Sequence, residues 1–214
     1  MRREFVDLGL EFLNERSLDR LEDFDYSIVG HLKTVRTGKE LEDSVLGKFS
    51  SDIEVFKGIK VIGDHEPISN QKKFIRGLKD TRDFILLQSD REDLAKPLIN
   101  EELIDGLYLS FENRNSVISE GMVSLLSQTN IPVLIPFKPI IEQEGYIRSQ
   151  IIRRMSDEVN KLKECGVSIV ITSGANSYWN LRSPRELMSF GYVLGMTLME
   201  AKSALTSKPL NILE

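Results

Sequence analysis

Metal-assisted phosphoester hydrolysis needs several imidazoles and carboxylates converging on one or two ions. This chain has only two histidines, His31 and His65. The carboxylates that could join them are Asp7, Glu11 and Glu66. The densest string is Gly63-Asp64-His65-Glu66, but neighbours in an extended segment point to opposite faces and cannot all reach one ion without a bulge. One imidazole beside two acids reads more simply as a solvated loop, and His31 as a histidine satisfied at a strand end. No phosphate-cradling glycine loop, dinucleotide fingerprint, His-Glu-x-x-His pair or paired Cys-x-x-Cys occurs, and nothing supports a Ser-His-Asp arrangement. Cys165, the single cysteine, excludes an internal disulfide and fits a reducing cytoplasm. Its place in "KECGVSIV", where a helix gives way to a strand, reads as that of a buried structural thiol.

Cations are better supplied. In "IVITSGANSYWNLRSP" a run of β-branched residues stops at Ser173-Gly174-Ala175-Asn176, a loop carries the only tryptophan, and Arg182-Ser183-Pro184 opens a helix. A guanidinium at a helix N-terminus favours an anion such as phosphate, so Arg182 is the first candidate contact; a bridge from Arg182 to an internal carboxylate such as Glu11 is the competing role. Arg153, Arg154, Arg185 and Lys202 are further candidate phosphate contacts, or plain solvated charges. Tyr178 and Trp179 could stack on a base. The alternative, which we expect, is an aromatic lid packed over the pocket.

The elements that must position these groups alternate along the chain. Strands are expected at Phe5–Phe12, Tyr26–Leu32, Ile59–Gly63, Phe84–Gln88, Gly106–Ser110, Pro132–Pro136 and Ser168–Thr172. Helices are expected near Lys39–Phe49, Gln71–Asp80, Asp93–Ile99, Ser116–Gln128, Ile147–Cys165, Pro184–Leu194 and Leu198–Ser207, and Leu18–Asp25 reads as a solvated first helix or loop. Such alternation implies parallel strands joined by helical crossovers. About seven units in 214 residues point to one α/β domain over residues 1–214, a TIM-like barrel of about seven mostly parallel strands with surrounding helices. Whether seven strands close the barrel or an eighth extended segment joins them is left open. Ser183 and Glu186 form a capping box around Pro184, and Thr197 and Glu200 another. Ile147, Ile151, Met155, Val159 and Leu162 form a core stripe, while Met199 and Ala201 to Leu205 read as core filling.

In such a barrel the strand C-terminal ends share one face. Here that face would carry Glu11, Glu66, Gln88, Ser110, Asn113, Arg114, Lys138, Arg148, Ser173, Asn176 and Arg182. It is a barrel mouth without an evident catalytic set. A net charge of −5 and pI of 5.3 argue against a protein that simply coats nucleic acid. Residues 138–208, however, hold 10 Lys and Arg against 7 Asp and Glu, whereas the remainder holds 18 against 26. One region could therefore meet an anion, although ordinary mixed helix surfaces would give similar counts. No apolar run approaches the roughly 20 residues of a membrane span, and the Met-Arg-Arg-Glu start has no apolar signal region, so a cytoplasmic protein without membrane contact is expected.

The segment "VSIVITSGANSYWNLRSPRELMSFGYVLGMTLMEAKSALTSKPLNIL", with "ELIDGLYLS", "IPVLIPFKPIIEQEGYIRSQIIRRM" and "EFVDLGLEF" upstream, resembles the protein component 3 family of archaeal and eukaryotic ribonuclease P. The likeness covers most of the chain and is strongest from about residue 100 onward. That family is in turn similar to the PHP metallohydrolases. Where their pattern has D-L-H-x-H, this chain has Asp7-Leu8-Gly9-Leu10-Glu11; where theirs has S-D-A-H, it has Ser173-Gly174-Ala175-Asn176. Glycine cannot ligate through a side chain, and an Asn amide is a poor substitute for imidazole. The resemblance implies a subunit of the ribonucleoprotein that removes 5′ leaders from precursor tRNA. It implies that the RNA with Mg²⁺ does the hydrolysis, with no cofactor bound by this chain and no catalytic residue in it. It also implies ribonuclease P RNA, protein component 2 and other ribonuclease P protein subunits as partners. Lys138 and Arg148 match basic positions of the family and join the RNA-binding candidates. The acidic total makes weak RNA binding by the isolated chain, and tight binding to component 2, the expectation. Two other readings remain open: a PHP-like metal-dependent phosphoesterase with a rearranged site using Asp7, Glu11, His31, His65 and Glu66, and a binding module for another complex or a small anion.

Overall fold

Short β-rich runs separated by amphipathic stretches bury both faces of a sheet only if the helices wrap its outside. The computed structural model, which describes residues 5–36, 52–63, 67–111 and 118–213, shows that arrangement. The strands are β1 (Phe5–Leu10), β2 (Tyr26–Val35), β3 (Glu54–Ile62), β4 (Phe84–Gln88), β5 (Gly106–Tyr108), β6 (Val133–Pro136) and β7 (Ile169–Thr172). Each pairs in parallel with the next, in the order β1 to β7. The helices are α1 (Glu15–Asp23), α2 (Ile68–Leu78), α3 (Glu92–Asn100), α4 (Glu120–Thr129), α5 (Lys138–Glu142), α6 (Gly145–Glu164), α7 (Pro184–Val193), α8 (Leu198–Ser203) and α9 (Ser207–Leu210). The result is a TIM-like α/β barrel, nearly closed.

Alternation along the strands divides the core into layers. Val6, Leu8, Ile28, Leu32, Phe84, Leu86, Tyr108, Leu134 and Val170 fill the barrel, joined by Ile212 from the C-terminal segment. A larger cluster lies between the outer strand faces and the helices, where Ile151, Met155, Val159 and Leu162 of α6 are buried. Gly30 and Gly58 are required by the interior: a Cβ on either would lie 2.6 or 2.3 Å from the Phe84 ring.

The seam between β1 and β7 is closed without a strand ladder. The Val6 and Ile171 amides donate to the carbonyls of Leu205 and Ala204, at 2.9 and 3.1 Å, and the Glu11 amide donates to the Ala175 carbonyl at 2.8 Å. The turn between α8 and α9 thus stands in for an eighth strand. Inside the seam Asp7 is fully buried. Its carboxylate accepts from the Thr172 hydroxyl, from the Ser173 amide at 3.2 and 3.3 Å and from the Gly9 amide at 3.1 Å. Burial pushes the Asp7 carboxyl above its ordinary 3.8, against the opposing pull of those hydrogen bonds.

Several expectations change. The segment Leu18–Asp25 is largely helix α1, begun by an Asn14–Ser17 capping box and anchored by buried Leu18 and Leu21. The expected helix Leu198–Ser207 breaks after Ser203, because the turn that follows must reach the seam; Ala201, Ala204 and Leu205 are buried, but Met199 is 77% exposed and fills no core. Ile147, in the first turn of α6, is 52% exposed and leaves the stripe. Cys165 is exposed, since the helix ends there at the surface rather than under the sheet. The expected helix Lys39–Phe49 lies outside the described residues.

Removing the Asp7 side chain leaves three donors without their acceptor, each at about 1–3 kcal/mol when buried. Asp7→Ala should therefore destabilise the chain by about 3 kcal/mol in urea unfolding, lowering Tm by roughly 6–12 °C. Asp7→Asn, which keeps an accepting oxygen, should cost less. Equal stability of all three proteins would show that the seam does not depend on this carboxylate.

Candidate functional site

Strand alternation places Lys60 of β3 inward, in register with Leu86 of the barrel interior. Only 6% exposed, its Nζ donates to Glu11 Oε1 and lies 4.5 Å from the centre of the Tyr108 ring. Glu11 follows β1 at the mouth and is reached from another side by Lys138, whose Nζ is 3.6 Å from Oε2, and by the Thr34 hydroxyl at 3.3 Å. Lys138 also lies 3.9 Å from Glu142. Burial alone would raise the Glu11 carboxyl, but the charge and hydrogen bond of Lys60, with Lys138 and Thr34, hold it below its ordinary 4.5. The mouth is thus filled by an internal charge cluster.

Gly9, where the PHP pattern has an imidazole, is packed against Thr172: a Cβ there would lie 1.9 Å from the Thr172 hydroxyl oxygen. Asp7 is committed to the seam. Gly174, at φ 64°, faces Tyr108 and Lys138 so closely that a Cβ would meet the Tyr108 hydroxyl at 3.0 Å. The Asn176 amide donates to Glu142 at 3.4 Å and its oxygen accepts from Asn180 at 2.8 Å. His31 is part-buried in β2, and burial lowers its pKa. Among the described residues no three His, Cys, Asp or Glu side chains gather where a metal could sit. Asp64, His65, Glu66, Asn113 and Arg114 lie outside those residues. The described donors at the mouth do not fit a transition metal, because the carboxylate that could ligate already holds two ammonium groups.

The proposed RNA-binding cations are dispersed. Arg182 does not reach Glu11. It donates to the carbonyls of Trp179 and Leu181 at 2.9 and 2.8 Å, lies 3.9 Å from Glu186 and faces the Phe137 ring at 5.6 Å. Both capping boxes form as read, and that of Ser183 and Glu186 leaves Arg185 exposed on α7. Arg148 donates to the Gln143 carbonyl at 2.6 Å, Arg154 to that of Phe111 at 2.9 Å, and Arg153 is exposed. Lys202 is in the last turn of α8, just before the Ala204 and Leu205 carbonyls that close the seam, and makes no described contact with the other candidate cations. Trp179 is no lid. It is 73% exposed, carried outward on a single 3-10 turn, Tyr178–Asn180. Sequence reading missed Lys60, Arg16 and Arg20. For Lys60 the signal was present: in "FKGIKVIG" it shares its strand phase with Gly58, and so faces inward.

The fold and mouth define a class: a nearly closed TIM-like α/β barrel whose described mouth holds a carboxylate paired with two ammonium groups, beside a hydroxyl and glycines. The chain belongs to the RNase P subunit p30 family, whose model matches residues 11–214. It is 22% identical to ribonuclease P protein component 3 of Methanosarcina barkeri over 164 residues, 77% of this chain and 68% of that one. In fold it resembles a chain of the cryo-EM structure of archaeal ribonuclease P with mature tRNA (TM-score 0.79, 15% identity, 97% of this chain and 89% of that one). It also resembles histidinol phosphate phosphatase from Lactococcus lactis, solved with zinc, L-histidinol and phosphate (TM-score 0.54, 11% identity, 92% and 95% covered).

The Glu11 shift has a sign. A carboxyl held low in the fold contributes stability in full above its ordinary 4.5, and the contribution fades as pH falls through the folded value. Urea midpoints followed downward from neutral pH should therefore fall less steeply in acid for Glu11→Gln than for the native chain. Parallel acid limbs would contradict the pairing. Lys60→Met, which leaves the carboxylate to Lys138 alone, should cost about 3 kcal/mol at neutral pH.

Proposed function

We propose that the chain is a protein subunit of ribonuclease P, the ribonucleoprotein that removes 5′ leader sequences from precursor tRNA, and that it supports the RNA without cutting it. The family match over residues 11–214 carries this reading. The Glu11–Lys60–Lys138 cluster supports its second half, because the described carboxylate at the mouth is committed to ion pairs rather than to activating water. In this reading the RNA and its Mg²⁺ supply the hydrolysis, and the chain supplies cations that let phosphates approach one another.

Of the seven candidate contacts, Arg153 and Arg185, both exposed, would meet phosphates directly in this reading. Arg148, Arg154 and Arg182 each spend hydrogen bonds on backbone carbonyls, so they both brace the chain and present charge. Lys138 acts mainly through Glu11, and Lys202 would serve a separate strand of RNA. A net charge of −5 suits a subunit that docks first on a protein partner, component 2, and touches RNA along limited strips. A lone, exposed thiol suits the reducing cytoplasm.

Reconstitution from the RNA and purified subunits, with this chain left out and then added back, tests the reading. Omission should slow cleavage of precursor tRNA and addition should restore it; cleavage indifferent to the chain would refute it. Arg153→Ala with Arg185→Ala should leave the urea midpoint unchanged. It should lower the slope of log affinity against log salt for the assembled complex by about 0.9 for each phosphate that is no longer neutralised.

A further inference from the structure

Outside the mouth, α1 meets the turn that follows β7. Arg16 and Arg20, four residues apart, both face the Tyr178 ring, at 4.4 and 4.9 Å from its centre. Arg20 Nη1 also donates to the Tyr178 hydroxyl at 3.3 Å, while its Nε is buried without a hydrogen-bond partner among the described residues. Trp179 stands edge-to-face against Tyr178, with centroids 5.2 Å apart and rings at 87°. Arg182 holds the turn by donating to the Trp179 carbonyl. An indole is thereby presented to solvent on a pinned backbone, one ring away from the two guanidiniums that face Tyr178.

A singly exposed apolar ring is ordinary, but Trp179 is 73% exposed on a backbone held in place and beside a tyrosine that two arginines face. Its neighbours in the loop are Asn176, Ser177, Asn180 and Arg182, polar groups rather than the apolar rim of a protein groove. The contrast on this molecule is the patch Tyr192, Val193, Leu198 and Met199, four exposed apolar residues at the α7–α8 corner, which has the composition of a protein contact. A flat π-face next to paired arginines instead matches an unpaired nucleotide, which offers a base face and a phosphate within one residue. A duplex hides its base faces and cannot use the indole.

We propose that Trp179, Tyr178, Arg16 and Arg20 form a platform for one unpaired nucleotide of RNA, the indole stacking on the base and the arginines meeting its phosphate. Glu15 and Asp19 sit one step round the helix from each arginine, so the platform binds single-stranded RNA on its own only weakly, and the rest of the complex adds to that binding. Which RNA supplies the nucleotide rests on the subunit reading; the stacking does not.

Trp179 is the only tryptophan, so its fluorescence reports the platform directly. Titrating the full chain with short single-stranded RNA should quench that emission, while duplex RNA of the same sequence and inorganic phosphate leave it unchanged. In the reconstituted complex, Trp179→Ala should require about ten-fold more chain for half-maximal cleavage and Trp179→Phe should recover most of the loss. A matching urea midpoint would show that the variants fold. Emission indifferent to single strands, equal quenching by duplex, or full activity of Trp179→Ala would overturn the proposal. So would loss of binding to the other protein subunits in the absence of RNA, which would make the patch a protein contact. If the native chain fails to restore cleavage, the subunit reading falls, and the fluorescence titration still decides the platform.

Discussion

Lys60 and Glu11 face each other in the mouth of the barrel, and removing either charge from water alone would cost several kcal/mol. Together, with Lys138 on the far carboxylate oxygen and the Tyr108 ring beneath the ammonium, the charges compensate one another. Glu11, the described carboxylate at the mouth, is thus committed to two ammonium groups, and a metal ion there would have to displace them.

The rest of the molecule is arranged round that cluster. Gly9 lets β1 pass close to β7, where Thr172 packs against it, and Asp7 forms a clasp across the seam. The α8–α9 turn completes the closure with two carbonyls. With the interior committed to packing and ion pairs, the chemistry available for partners lies outside, on α6, on α7 and on the loop between β7 and α7. That distribution suits a scaffold that steadies RNA through several separated contacts.

Strand existence and order were legible because alternating apolar runs and capping residues are local signals: each of the seven expected runs holds a strand and the Ser183 and Thr197 caps form, although β2 runs on to Val35 and β3 begins at Glu54 rather than Ile59. That Gly9 and Asn176 are poor metal ligands was legible as well, since neither carries an imidazole or a carboxylate. The contents of the mouth were not. Pairing Lys60 with Glu11 needs residues 49 positions apart, brought together only by barrel curvature. The exposure of Trp179 was hidden for a related reason: a hydrophobic side chain favours burial, but Arg182 pins its loop outward, and that contact joins a side chain to a backbone carbonyl no pattern announces. Cys165 and Met199 are exposed because helix ends, unlike helix middles, meet the surface.

The central claim, that ion pairs of Glu11 with Lys60 and Lys138 rather than metal ligation fill the described mouth, is tested most directly by elemental analysis of the purified chain together with an assay on phosphate esters. Transition metal far below one equivalent, and no turnover with or without added zinc or manganese, is the predicted result. One or two tightly held ions per chain, with ester cleavage that a chelator abolishes, would contradict it.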